Sequence, residues 1–173
     1  GGIMALHHFG DEDEPVTVLV VHGLTGHGTD SYAYELVAGI QSVGYGRVTT
    51  STRRGHGNLP FGSKVVSHAA RDADVWKLVD ALDCRHVVIV AASFGGLLAL
   101  RHAATPHPKV RAIFCISAIV SPARNEAYVA RMPFGRFVEG QVAARLVAQF
   151  RRSNYPGIVA DAPTVRDFDA AVT

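Results

Sequence analysis

The feature that most constrains the fold is the stretch "HVVIVAASFGGLLAL", residues 86 to 100, where an apolar run meets an abrupt Ser-Phe-Gly-Gly and a second apolar run follows. A strand that turns sharply into a helix produces this pattern. Small residues two positions before and after Ser93 let strand and helix pass closely, although Ala91 stands where glycine is usual. Ser93 is therefore either a nucleophile on a strained turn or a polar residue in an ordinary strand-to-helix turn.

The first 120 residues predict strands that alternate with single helices. Continuous apolar or β-branched runs predict four buried strands, at residues 15–23, 46–52, 85–90 and 109–120. Apolar residues at helical spacing predict helices between them, the first starting at about Asp30, which we expect to cap it. This alternation predicts an α/β fold with a mostly parallel sheet, helices on both faces and a single domain over residues 1–173.

After Ser121 and Pro122 the pattern changes. Apolar residues recur every fourth position and predict an amphipathic helix (Val138, Val142, Leu146, Phe150). We expect residues 121–155 to form a helical, lid-like insertion above the sheet. The segment has six arginines against two glutamates (Arg124, Arg131, Arg136, Arg145, Arg151, Arg152; Glu126, Glu139). Two interpretations are open, a solvated helix face and contact with anionic lipid at a membrane surface.

A second motif supports a nucleophilic role for the serine. "VVHGLTG" ends another predicted strand with His-Gly and a loop, an arrangement that supplies one backbone N–H to an oxyanion hole. The residue after the nucleophile supplies the other donor. Leu24 and Phe94 are then the two donors, and His22 is expected to hold the loop.

Composition excludes several classes of protein. Hydrophobic residues make up 48% of the chain and charged residues 18%, which predicts a compact fold, and a net charge of +2 gives no reason to expect a nucleic-acid partner. Cys84 and Cys115 form no CxxC pair and have no histidine cluster nearby, so we expect two reduced, buried thiols and no metal site. We expect no cofactor, because nucleophilic attack by a serine needs only a base and preorganised N–H donors. No stretch is long enough for a membrane span and no secretory signal is visible, which makes the cytoplasm the default location.

The chain resembles the α/β-hydrolases, and more narrowly the YheT-like hydrolases. The shared segments follow the family's order and run through nearly the whole chain: "HGLTG", Tyr32 in "DSYAYELV", "RRGHG", "SHAARDAD", "AASFGGLLAL", "ISAIVSP" and "TVRDFDAAVT", with Arg166 to Asp169 the most family-specific part. The resemblance implies the α/β-hydrolase fold and hydrolysis of a small-molecule or lipid ester by an acyl-enzyme on Ser93, with esterase, lipase, phospholipid and thioester substrates all open. Arg54, Gly55 and His56 match a loop of the family that we interpret as structural.

The rest of a catalytic triad is not apparent in the sequence. In this family an acid and a histidine follow the serine on loops after later strands. His102 and His107 lie on or just beyond the helix that leads away from Ser93, and no predicted strand lifts the late aspartates to the top of the sheet (Asp161, Asp167, Asp169).

We therefore expect a truncated hydrolase domain, or one whose last strands come from a partner chain. The fourth strand, apolar on both faces, favours a missing neighbour, and "GGIMALHHFG" resembles the second half of an early β-hairpin. On this hypothesis the chain alone is nearly inactive. The alternative is a non-catalytic binding module with the same fold. A nucleotide-binding Rossmann domain is excluded because "VVHGLTGHG" lacks the G-x-G-x-x-G pattern.

Overall fold

The computed structural model describes residues 3–60, 73–152 and 162–172. The elements are β1 (Ala5–Gly10), β2 (Val16–Val21), α1 (Ser31–Ser42), β3 (Arg47–Thr52), α2 (Ala73–Asp80), β4 (His86–Ala92), α3 (Phe94–Ala103), β5 (Val110–Ile116), α4 (Pro122–Arg131), α5 (Gly135–Arg152) and α6 (Val165–Val172). None of the helices in these ranges is long and apolar enough to cross a membrane.

A five-stranded sheet in the order β1-β3-β2-β4-β5 organises the fold. Strands β2 to β5 are parallel, and β1 pairs antiparallel with β3. The predicted α/β fold with a mostly parallel sheet is therefore confirmed. Parallel strands end at the same edge of a sheet, so the loops after β2, β3, β4 and β5 meet there.

Both faces of the central strands are buried. Leu19 and Val21 of β2 pack into a core with α2 and α3, while Val18 and Val20 face a second core with α1. This explains the continuous apolar run in β2, because a parallel strand covered on both sides carries apolar residues at every position. A third core joins α5 to α6, where the Phe150 and Phe168 rings meet edge to face at a centroid distance of 4.6 Å.

Three local expectations differ from the structure. The fourth strand ends at Ile116, four residues before the predicted end, because Ser117 has a positive φ of 49° and turns the chain. Asp30 stands at the cap position of α1 without capping it, since its carboxylate accepts the His27 backbone N–H and pairs with the His27 ring. Cys115 is exposed, because β5 lies at the edge of the described sheet.

The predicted insertion contains two helices, α4 and α5, and its last three residues, 153–155, lie outside the described residues. Residues of α5 at the predicted helical spacing, Val142, Leu146 and Phe150, belong to the third core. Val138 does not, and remains 50% exposed. A single domain with a lid-like insertion stays a prediction.

Two glycines allow α3 to start against the sheet. A β-carbon at Gly95 would lie 2.5 Å from the carbonyl oxygen of His22 and 2.7 Å from that of Val21. At Gly96 it would lie 2.6 Å from the Ala118 β-carbon. Real β-carbons essentially never make contacts this short, so the first turn of α3 can pack on the end of β2 and beside Ala118 only without side chains at these two positions.

We predict that Gly95→Ala lowers the free energy of unfolding by about 2 kcal/mol or more, because the added methyl group forces α3 away from β2. Gly39→Ala is the matched control, since Gly39 lies in the middle of α1 with no heavy atom within 4 Å of the added β-carbon. That variant should gain about 0.5–1 kcal/mol from helix propensity. Urea unfolding measures both, and equal stability of the two variants would contradict the packing argument.

Candidate active site

Ser93 occupies the turn between β4 and α3 in a strained conformation. Its φ is 51° and its ψ is −117°, in a region that side chains rarely adopt. The Ser93 N–H donates to the Ile116 carbonyl at 2.9 Å, and the Gly96 N–H donates to the Ser93 carbonyl at 3.0 Å. A strained residue of this kind costs of order 1–3 kcal/mol and persists only where its surroundings fix it, which is typical of functional sites.

The loop after β2 lies directly beside this serine. A β-carbon at Gly23 would stand 3.3 Å from the Ser93 β-carbon and 3.8 Å from its Oγ. Both residues line a cleft of about 1440 Å³, together with Leu24 and Phe94. The structure thus brings together the serine and both residues that the sequence suggests as oxyanion donors.

The backbone of this loop is held from behind. The Gly23 carbonyl accepts hydrogen bonds from Arg53 Nη2 at 2.9 Å and from His22 Nδ1 at 2.7 Å. Because a trans peptide points its C=O and the following N–H in opposite directions, these bonds orient the Leu24 N–H away from Arg53. The Leu24 carbonyl is in turn 2.8 Å from His56 Nε2, so two successive peptide units are fixed.

Arg53 is the centre of this support, and sequence reasoning did not identify it. Its side chain is only 5% exposed, and burial lowers its pKa to about 10, so the guanidinium stays charged at neutral pH. Besides Gly23 it contacts His56 Nε2 at 3.3 Å, and its guanidinium carbon lies 5.8 Å from the centre of the Phe94 ring. Arg53 thus contacts the loop after β2 and the first residue of α3 together.

The neighbouring residue, Arg54, anchors the segment after β3 to the helix α2. Arg54 donates through Nε to Asp74 Oδ2 at 2.9 Å and through Nη2 to Asp74 Oδ1, and the Asp74 residue is 2% exposed. A buried carboxylate is stable when it is paired in this way with a planar guanidinium. The segment "RRGHG" therefore contributes the buried Arg53 to the loop after β2 and the partly buried Arg54 to α2.

Two polar residues of the cleft were not assigned a role from the sequence. The Tyr32 hydroxyl is buried, and that burial raises its pKa, while the nearby Gly23 backbone partly offsets the rise. His27 lines the same cleft, with Nε2 paired to Asp30 Oδ1 at 2.9 Å and Nδ1 2.9 Å from Thr29 Oγ1. With both ring nitrogens engaged, His27 has none directed at Ser93.

The histidines after Ser93 in the chain lie elsewhere. His102 and His107 both contact the Trp76 ring, at centroid distances of 4.9 and 5.5 Å, and His107 Nε2 is 2.9 Å from the Asp80 carboxylate. Neither is among the described residues that line the cleft with Ser93. Within the described ranges, no histidine is hydrogen-bonded to the serine, and no group of three His, Cys, Asp or Glu residues could hold a metal.

The last segment that the chain shares with the family, "TVRDFDAAVT", makes structural contacts. Asp167 forms a capping pair with Thr164 at the start of α6, Arg166 pairs with Glu126 of α4, and Phe168 is fully buried. Asp161 and residues 67–72 of the "SHAARDAD" segment lie outside the described residues.

We predict that stability falls as the pH drops below 6.5, the ordinary pKa of a histidine, because burial lowers the pKa of His22 well below that value. The unfolded chain binds a proton at His22 near pH 6.5, whereas the folded chain binds it only at lower pH, so acid favours unfolding. Urea unfolding between pH 8 and pH 5 should show a shallower pH dependence in His22→Gln. An unchanged pH dependence of stability in His22→Gln would contradict the assignment to His22.

The sequence and the fold of the chain both match known proteins. A sequence model described as "Alpha/beta hydrolase family" matches residues 18–173. A search of curated protein sequences finds no significant match. Solved structures share the fold at low identity, and the chain spans from about half to two thirds of the length of three of them.

Three of these structures show the range. One, from a study of carboxylesterases of Nitrososphaera gargenis, is 20% identical with a TM-score of 0.60, and the match covers 98% of this chain and 62% of that one. Mouse alpha/beta hydrolase domain-containing protein 10 is 15% identical with a TM-score of 0.60 and coverages of 87% and 66%. The monoacylglycerol lipase of Paleococcus ferrophilus is 23% identical with a TM-score of 0.54 and coverages of 80% and 53%.

Proposed function

The chain belongs to the alpha/beta hydrolase family, and from that premise we propose that it is a carboxylic ester hydrolase whose nucleophile is Ser93. The observation that carries the proposal is the strained Ser93 turn, which stands beside the Gly23–Leu24 loop in one cleft. A backbone of this kind presents a hydroxyl at the top of a sheet next to preorganised N–H donors.

The chemistry assigns a role to each group. Ser93 Oγ attacks the ester carbonyl carbon while its proton passes to a general base, and the carbonyl oxygen becomes an oxyanion held by the Leu24 and Phe94 N–H groups. Collapse of this intermediate breaks the bond to the alcohol, which leaves with a proton, and water then hydrolyses the acyl-enzyme. The general base is not assigned among the described residues.

The finer parts of the proposal concern substrate and place. The resemblance to YheT-like hydrolases supports a lipase-like or esterase activity on a small-molecule or lipid ester. The structure from the study of Nitrososphaera gargenis carboxylesterases and that of the Paleococcus ferrophilus monoacylglycerol lipase share this fold and support the same direction. A cytoplasmic location and a partner chain along β5 stay predictions.

A non-catalytic binding module is the second candidate. The engagement of both His27 ring nitrogens favours it, since no described histidine is hydrogen-bonded to Ser93. The two candidates differ in the reactivity of one hydroxyl group.

We predict that a fluorophosphonate probe labels the purified protein slowly and only at Ser93, as read by mass spectrometry of the digested protein. Ser93→Ala should abolish the label. Ser117→Ala is the matched control, because Ser117 also has a positive φ of 49° and directly follows the neighbouring strand. This variant should keep the label at Ser93. A folded sample without label at Ser93 would refute the hydrolase proposal in favour of the binding module.

We predict that Arg53→Met slows Ser93 labelling about tenfold or more per folded molecule, because the Gly23 carbonyl loses a donor and the Leu24 N–H is misaligned. Arg53→Lys should restore part of the rate. Arg47→Met is the control: Arg47 is also a buried arginine of the β3 segment, but it binds the carbonyls of Glu12 and Asp83 at the other end of the strand. Equal loss of rate in both methionine variants would indicate a general effect on stability.

A further inference from the structure

The turn between α4 and α5 places large apolar side chains in solvent. We call residues 131–137, "RMPFGRF", the α4–α5 tip. Phe134 is 81% exposed, Phe137 66% and Met132 45%. Single exposed apolar residues are common on soluble proteins, but a contiguous group of them marks a surface that contacts something else.

The tip has a defined shape. Phe134 has a positive φ of 64°, and the Gly135 N–H donates to the Met132 carbonyl at 2.9 Å. A β-carbon at Gly135 would lie 1.7 Å from the Val129 carbonyl oxygen, so only glycine fits there. The chain thus adopts a strained backbone conformation at a phenylalanine whose ring points into solvent, and strain of this kind is a reason to look for function.

The surface around the tip is cationic. Arg131 and Arg136 belong to the tip, and Arg124 lies one helical turn before Tyr128, which is 65% exposed, on the outer side of α4. In the part of the chain that the structure describes, no carboxylate is within ion-pairing distance of these three arginines. Of the two nearest acidic residues in sequence, Glu126 pairs with Arg166, and Glu139 lies among the residues that line the Ser93 cleft.

The tip also lies at the rim of the Ser93 cleft. Glu126 and Val129 of α4 line that cleft, as do Val138 and Val142 of α5. The two helices therefore form a wall of the cleft, and the tip connects them at one end of that wall.

We propose that the α4–α5 tip docks on a bilayer surface that contains anionic phospholipid. Arginines that flank exposed aromatic side chains fit such a surface, because the guanidinium groups pair with lipid phosphates while the rings enter the boundary between headgroups and acyl chains. A second copy of the chain fits less well, since a two-fold contact through the tip would set the arginines of one copy against those of the other. Docking does not depend on the role of Ser93.

The test is cosedimentation of the purified protein with vesicles. We expect binding to vesicles of phosphatidylcholine and phosphatidylglycerol in equal amounts, and weaker binding to phosphatidylcholine alone or at high salt. Arg131→Gln with Arg136→Gln should weaken binding to the anionic vesicles about 25-fold, because each arginine near such a surface contributes about a factor of five. Phe134→Ser with Phe137→Ser should weaken it about tenfold or more.

Matched controls lie at the opposite end of the sheet. Val43→Ser with Tyr45→Ser removes two exposed apolar residues after α1, and Arg85→Gln with Arg111→Gln removes two exposed charges, one just before β4 and one within β5. Both controls should bind like the unmodified protein, as should Ser93→Ala. Circular dichroism checks that each variant is folded, which is expected because the substituted side chains of the tip and control variants are exposed.

Three results would overturn the proposal. The first is no binding to either kind of vesicle. The second is an equal reduction of vesicle binding in the tip variants and in the control variants. The third is a protein that does not bind vesicles but forms a concentration-dependent dimer in sedimentation velocity, with the dimer absent in the Phe134→Ser and Phe137→Ser variant. This result would make the tip a contact between copies of the chain. If the unmodified protein binds vesicles but is not labelled at Ser93, only the hydrolase proposal is refuted.

Discussion

The close contact between the first turn of α3 and the end of β2 is the constraint on which the candidate site depends. Gly95 lets the helix start against the carbonyl oxygens of Val21 and His22, and this places Ser93 beside Gly23. If α3 began even one methyl group farther from the sheet, the serine turn and the loop after β2 would separate. The strained backbone conformation at Ser93 persists because α3, β4 and the end of β5 all fix this residue.

A buried cation then supports the loop from the other side. Arg53 has no carboxylate among its hydrogen-bond partners in the described residues and is bound instead by the Gly23 carbonyl and histidine nitrogens. Desolvation lowers its pKa to about 10, which still leaves the charge in place at neutral pH. A fixed positive charge behind the loop favours negative charge in the cleft in front of it, whether that charge belongs to a bound anion or to a developing oxyanion.

Much of this architecture could be predicted from the sequence, since apolar runs and glycines are local signals. The strand-turn-helix around Ser93 and the burial of β2 on both faces follow from residue types at fixed spacing. The role of Arg53 could not be predicted, because "RRGHG" has two adjacent arginines and nothing local tells which one is buried against His22. The end of β5 just before Ser117 and the contacts of the Asp30 carboxylate with His27 likewise depend on tertiary packing.

The hydrogen bond from the Ser93 N–H to the Ile116 carbonyl joins the serine turn to the last residue of β5. That strand pairs on one side with β4, and Phe114 and Ile116 are 59% and 44% exposed. Elements with few buried apolar contacts open at a lower free energy than the core in local unfolding. The geometry at Ser93 is therefore only as persistent as the end of β5, and anything that covers this strand also lengthens the time for which the serine turn keeps its shape.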